Sequence, residues 1–239
     1  MPANMDEIMA IANEYEIPVL EDAAEALGSV YKGKHCGTFG KFACLSFNGN
    51  KMITTSGGGA LVCRTEEDAL NTKFLATQAR DKAPFYQHSQ VGYNYRMSNI
   101  SAGIGRGQML VVDDLLARRR EINQLYRELL KDMPGVSFQT NPSEDYHSNY
   151  WLTCITVDQD VTGLTRKSIR RAMDSENIET RALWKPLHLQ PVFKDCPYYG
   201  DGIAEGFFSN GHCLPSGASL TDEDIERVVN VLKGLLHLP

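Results

Sequence analysis

The opening stretch constrains the fold most. "PANMDEIMAIANEYEI" runs straight into "IPVLED". Met5, Ile8, Met9, Ala12 and Tyr15 recur at helical spacing, so a helix with one apolar face is predicted from the first residues onward. Asn4 stands at the N-cap position. Asp6 and Glu7 put negative charge in the first turn, where the helix dipole favours it. The apolar run that follows is short and suits a buried strand. A turn at "YKGKHCG" then leads to the strand candidates "KFACLSF" and "GALVC". Helix, strand, turn, strand predicts a mixed or parallel sheet with helices on its faces.

Further along, a long helical segment is predicted from about Ser98 to Met133, with a break near Gly103 to Gly107 and a stop at Pro134-Gly135. The texture then changes. "GVSFQ", "YWLTCITV" and "IETRALW" read as strands, and "LTRKSIRRAMDSEN" as a helix between the last two. "LTDEDIERVVNVLKGLLHL" reads as a closing helix, with Thr221 and Asp224 in capping-box spacing. The expected division is 1–115 and 116–239, with the boundary inside the long helix near Val111 to Arg120, and the second part a small α/β layer. At 239 residues and 42% hydrophobic content, a sizeable core is within reach.

The net charge of −6 argues against nucleic acid as a main partner. The six cysteines form no C-x-x-C pair and have irregular gaps, so neither a structural zinc site nor a disulfide framework is expected. No metal is assigned. No window is long and apolar enough to span a bilayer and no signal peptide is visible, so the expected location is the cytoplasm.

Chemistry concentrates in "SFNGNKMITTSGGGA", where a lone lysine stands between two apolar runs and ahead of three glycines. A lysine amine is a nucleophile toward carbonyls, and glycines let backbone approach a ligand closely. Taken alone, the stretch reads sooner as the wet tip of a hairpin. It is no P-loop, because Asn50 precedes Lys51 and Met52 follows it. Upstream, Glu21 and Asp22 fall at the expected carboxyl end of a strand, where α/β sheets bind ligands. Alone they read as two solvated charges. A strand-end carboxylate and a strand-end lysine together match the needs of pyridoxal phosphate, one group for the ring nitrogen and one for the Schiff base.

"EDAAEALGS", "GTFG", "SFNGNKMITTSGGGA" and "VGYNYRMSNISAGIGRGQ", followed by "ETRALWKPLHLQPVF" and "HCLPSGASLTDEDI", resemble the DegT/DnrJ/EryC1/StrS family of pyridoxal phosphate-dependent sugar aminotransferases over essentially the whole chain. The resemblance implies a fold-type I aminotransferase architecture, with residues 1–115 as the C-terminal part of the large cofactor-binding domain and 116–239 as the small domain. It implies Lys51 as the Schiff-base lysine and proton shuttle, and Asp22 on the pyridine nitrogen. Ser46 would donate to the cofactor phosphate. Glu25 stands near the ring, where the family often has glutamine or histidine. Asn94 would reach the cofactor phosphate of a neighbouring subunit, so a homodimer with shared sites is implied. Arg181 and His188 are implied contacts to the nucleotide sugar; a satisfied structural role for His188 stays open. Relatives that remove a sugar hydroxyl carry histidine in place of the lysine, so Lys51 implies transamination. "FNGNK" and "TTSGGGA" look most like members that aminate UDP-4-keto-6-deoxy-N-acetylhexosamines, with glutamate as amino donor.

In the family, a substantial portion precedes text like "MPANMDEI", including opening strands of the large-domain sheet and a helix N-terminus for the cofactor phosphate. The sheet is therefore expected to be incomplete. Two readings follow: the Lys51-bearing part of an aminotransferase, or an inactive fragment that at most associates with full-length subunits. An unrelated α/β binding module with a structural lysine would have to explain several ordered motifs as coincidence.

Overall fold

The run "IPVLED" shortens to a strand at Leu20–Asp22, which pairs in parallel with Phe42–Ser46; that strand in turn pairs antiparallel with Gly59–Cys63. The computed structural model describes residues 1–236, and these elements belong to the first of two compact units, Met1–Leu116 with Asn141–Trp151. The sheet is mixed, as the element order predicts. Side chains of paired residues share a face, so the register sorts the sheet. Glu21 and Ala43 lie on one face and are buried. Asp22 and Cys44, with Ser46 two residues on, lie on the other, beside Leu61; Asp22, Cys44 and Leu61 are exposed.

The helix Met5–Glu14 buries Met5 and Ala12, whereas Ile8 and Tyr15, predicted on the same face, are exposed. Asn4 occupies the N-cap position without a side-chain cap bond. Its Oδ1 instead accepts from the Tyr31 hydroxyl at 3.0 Å. Tyr31 sits in a hairpin of Val30–Tyr31 and Lys34–His35, turned at Lys32 and Gly33, both at positive φ. Lys32 and Asp6 pair at 2.5 Å, so the hairpin and the helix start hold each other.

The predicted long helix is two helices, Asn99–Met109 and Val112–Leu130, and the interruption falls at Leu110-Val111 rather than at the glycines. Gly105 serves contact instead, since a Cβ there would come within 2.8 Å of the Thr55 methyl, while Gly103 and Gly107 have nothing within 4 Å. A helix at Glu66–Ala76, capped by the Thr65 side chain on the Asp68 N–H, has no buried residue and therefore no apolar stripe for sequence reading to detect. Tyr146–His147 adds a strand to the Val30–Tyr31 hairpin. Residues 141–151, which the sequence reading leaves inside the second part, thus belong to the first unit.

The second unit comprises Ala117–Thr140 and Leu152 onward. Its sheet is antiparallel throughout, in the order Val136–Phe138, Thr153–Val157, Gly211–Leu214, Arg181–Ala182. Thr153, Ile155 and Val157 alternate into the core while Cys154 and Thr156 do not, the period-2 signature of a sheet covered on one face. That core joins Ile155, Val157 and Leu214 to Ile122, Tyr126 and Leu130, to Ile169 and Met173 of helix Arg166–Ser175, and to Ile225, Val229 and Leu232 of helix Asp222–Leu235. The predicted Thr221/Asp224 capping box is present, and Arg118 adds a bond to Asp222 at 2.8 Å. The sequence reading of the closing helix extends to His237 and Leu238, which lie outside the described residues. "IETRALW" forms strand only at Arg181–Ala182 and gives way to short 3-10 turns at Leu187–Leu189 and Pro191–Phe193. The proline-rich sequence that follows the strand cannot continue a ladder.

Candidate active site

The two adjacent carboxylates have different tasks. Glu21 is buried, and its two oxygens accept the backbone N–H groups of Gly37, Phe39 and Gly40 at 2.7, 2.5 and 2.7 Å. The motif "GTFG" is the loop that wraps this carboxylate. Glu21 is thus neither a solvated charge nor a ligand group. Burial and the Glu21 carboxylate together push the nearby Cys36 thiol above its ordinary pKa. Asp22, one residue on, points to the opposite face, is exposed, and accepts from the Ala24 N–H at 3.2 Å. Ser46 lies on Asp22's face at the end of the adjoining strand, and its Oγ accepts from the Asn48 N–H at 3.4 Å.

Lys51 sits in the loop that joins Phe42–Ser46 to Gly59–Cys63. Met52, Ile53 and Thr55 are buried and anchor the loop, while backbone bonds from Phe47 to Gly58 and from Thr55 to Phe47 close its base. Gly59 lets the return strand close: a Cβ there would stand 2.2 Å from the Leu45 carbonyl oxygen. The Lys51 side chain is only 12% exposed. Its ammonium engages the Glu25 carboxylate and lies 4.5 Å from the centre of the Trp151 ring. An amine held by an anion on one side and an aromatic face on the other has little rotamer freedom left to lose on reaction.

Two residues that sequence reading did not single out complete this arrangement. The Trp151 indole N–H donates to the Asn50 carbonyl at 2.6 Å, tying the ring to the residue before the lysine. Asn149 accepts from the Trp151 N–H at 3.0 Å and donates to the Glu25 and Leu27 carbonyls at 2.7 and 3.0 Å. Asn149 therefore fixes both Glu25 and Trp151, the two neighbours of the amine. Neither residue sits at a spacing from Lys51 that a sequence pattern could flag.

The other predicted positions have partners of their own. Asn94 is exposed and forms an isolated bridge with Thr77. Arg181 and His188 belong to the second unit. Arg181 is exposed and holds Glu179 at 2.5 and 2.8 Å. His188 bonds Glu205 at 2.9 Å and stacks on Tyr198 at 3.8 Å, so it has the partners of a satisfied structural histidine. Among the described residues, no helix is long and apolar enough to cross a membrane.

A lysine held in a loop at the end of a mixed sheet, with a carboxylate and a hydroxyl on one sheet face, is the set of groups that a lysine-dependent α/β enzyme requires. The profile of the DegT/DnrJ/EryC1/StrS aminotransferase family matches residues 1–233, and the chain belongs to that family. It is 47% identical over 98% of its length to EpsN of Bacillus subtilis (strain 168), provisionally named a pyridoxal phosphate-dependent aminotransferase, and spans 61% of that protein. It is 37% identical over 94% of its length to the GDP-perosamine synthase of Escherichia coli O157:H7, spanning 60% of it. Among solved structures, the aminotransferase TlmJ of Streptoalloteichus hindustanus superposes with a TM-score of 0.89 at 26% identity, over 99% of this chain and 63% of that one. The fold is that of these aminotransferases, and the chain spans about three-fifths of the length of the relatives it matches.

Proposed function

We propose that this chain is the lysine-bearing part of a pyridoxal phosphate-dependent transaminase that aminates a nucleotide-linked 4-keto-6-deoxy sugar, with glutamate as amino donor. The observation that carries the reading is the Lys51 amine, nearly enclosed and held between Glu25 and Trp151 at the end of the sheet. The donor set fits the cofactor: a primary amine for its aldehyde, the Asp22 carboxylate for its ring nitrogen, and the Ser46 hydroxyl on Asp22's face for its phosphate. When bound, the cofactor supplies an electron-poor ring that stabilises negative charge at the substrate carbon. Lys51 moves the proton to and from that carbon, general acid–base work that needs an amine fixed in place. Glu25 and Trp151 do the fixing, and Asn149 orients both. Asp22 keeps the ring nitrogen protonated by placing a negative charge beside it.

The first unit, 1–116 with 141–151, is the cofactor-binding part, and the second, 117–140 with 152 onward, is the small domain. Asn94 serves the phosphate of a partner copy, and Arg181 and His188 contact the nucleotide sugar. The enzyme works in the cytoplasm as a homodimer. The motifs favour a UDP-linked N-acetylhexosamine; the name of the E. coli relative favours a GDP-linked sugar. Turnover assays with each, and with glutamate against other amino acids, separate the two.

The deciding experiment is an absorbance spectrum with added pyridoxal phosphate, before and after borohydride, beside Lys51→Ala. A visible band that borohydride fixes as a phosphopyridoxyl adduct on the Lys51 peptide, absent from the variant, supports the reading. A folded sample with no band and no adduct leaves the alternative, a fragment that at most joins full-length subunits.

A further inference from the structure

Cys154 and Cys213 stand directly opposite each other on adjacent antiparallel strands of the second unit, with their sulfurs 3.8 Å apart. We propose that they are a redox couple: a hydroperoxide oxidises them to a disulfide across the strands, and small thiols restore them. The geometry permits closure without backbone movement. Directly opposed residues of an antiparallel pair have Cα atoms about 4.5–5.5 Å apart, inside the span of about 4.4–6.8 Å that disulfides use. Rotation about the two side chains brings the sulfurs to bonding distance.

Access reaches the pair through Cys154, which lines a cavity, while Cys213 is buried behind it. Both cysteines lie on the sheet face turned away from the helical core, since Ile155 and Leu214 take the core face. On Cys154's side that face opens into a cavity of about 270 Å³ lined also by Gln139, Thr156, Trp184 and Phe207. The cavity is wide enough for a peroxide, whose volume is close to that of a water pair, about 60 Å³. Arg181 pairs with Cys213 on its other side. The thiol hydrogen of Cys154, with a smaller contribution from the Arg181 charge, outweighs burial and lowers the Cys213 thiol's pKa, while Cys154 is raised.

The chemistry balances. The thiolate attacks the peroxide O–O bond, becomes a sulfenic acid, and releases water or an alcohol. The second sulfur then displaces the sulfenic oxygen as hydroxide, which takes up the proton released from that thiol and leaves as water. In sum, two thiols and one hydroperoxide give one disulfide and two molecules of water, or one of water and one of alcohol. The new bond ties the ends of the segment that contains Arg181 and His188.

The test uses the whole native chain and hydrogen peroxide. Thiol titration in denaturant should fall from six to four, peptide mapping should join the Cys154 and Cys213 peptides, and dithiothreitol should reverse both. Cys154→Ser and Cys213→Ser should each abolish the joined peptide. The wild-type map decides the matter even if a variant folds poorly. The proposal is overturned if Cys154 and Cys213 remain thiols at a dose that oxidises the exposed Cys44 and Cys196, or if they oxidise separately to sulfinic acids. It stands apart from the aminotransferase reading, since no cofactor or sugar enters the assay.

Discussion

Exchange of Glu21 for glutamine isolates the interaction that shapes the "GTFG" loop. The carboxylate accepts three backbone N–H groups: Phe39 and Gly40 on one oxygen, Gly37 on the other. In Glu21→Gln one oxygen remains and serves Phe39 and Gly40. The amide nitrogen then faces the Gly37 N–H, donor against donor. A buried donor without a partner costs about 1–3 kcal/mol. The two surviving bonds change from charge-assisted to neutral, a loss of about 1 kcal/mol each. Burying a neutral amide rather than a carboxylate returns part of this, so the net destabilisation is about 2–4 kcal/mol. The assay is urea unfolding of wild type and variant, together with amide hydrogen exchange. Exchange at Gly37, Phe39 and Gly40 should accelerate well beyond that of the second unit's core, because the perturbation is local. A variant within about 0.5 kcal/mol of wild type, with those three amides still protected, would refute the reasoning and return Glu21 to the surface role its sequence position first implies.

Other outcomes follow from single features. Burial, assisted by the charge of Arg166, depresses the His212 pKa to about 4 from its ordinary 6.5. The unfolded chain takes up a proton below about pH 6.5 that the folded chain refuses until about pH 4, so stability falls as pH drops through that window, by about 3 kcal/mol in all. Urea melts from pH 7.5 to 4 should show His212→Leu lacking that component, and the NMR titration of His212 should show no transition near 6.5. Gly59→Ala places a Cβ against the Leu45 carbonyl oxygen and should destabilise the strand pair by about 1–3 kcal/mol. Gly57→Ala, with nothing within 4 Å, should leave the melting midpoint nearly unchanged. Thr221→Ala removes the cap of the last helix and should cost about 1 kcal/mol by the same melts.

What the sequence disclosed was local. The capping box at Thr221 and Asp224 was legible because cap residues stand at fixed offsets. The strands around Lys51 were legible because apolar runs bracket a polar loop. The faces of Glu21 and Asp22 were not separable, because adjacent residues in a strand point opposite ways and only the register decides which way is inward. The pairing of Tyr146–His147 with Val30–Tyr31 joins distant segments, and the hold of Asn149 and Trp151 on Lys51 is equally non-local. The glycines of Asn99–Met109 misled because a glycine signals either a break or a close approach, and the contact of Gly105 with Thr55 is tertiary.

The ring that backs the reactive amine also gives the molecule an optical gauge. The chain has two tryptophans: Trp151 is buried against Lys51, and Trp184 is 62% exposed. Their emission separates by wavelength and by access to a soluble quencher such as iodide. A conjugated aldehyde captured by Lys51 would lie within energy-transfer range of the buried indole. The blue, iodide-resistant part of the fluorescence should therefore dim in proportion to occupancy while the red part holds steady, so loading of the site can be followed continuously, without a label and without turnover.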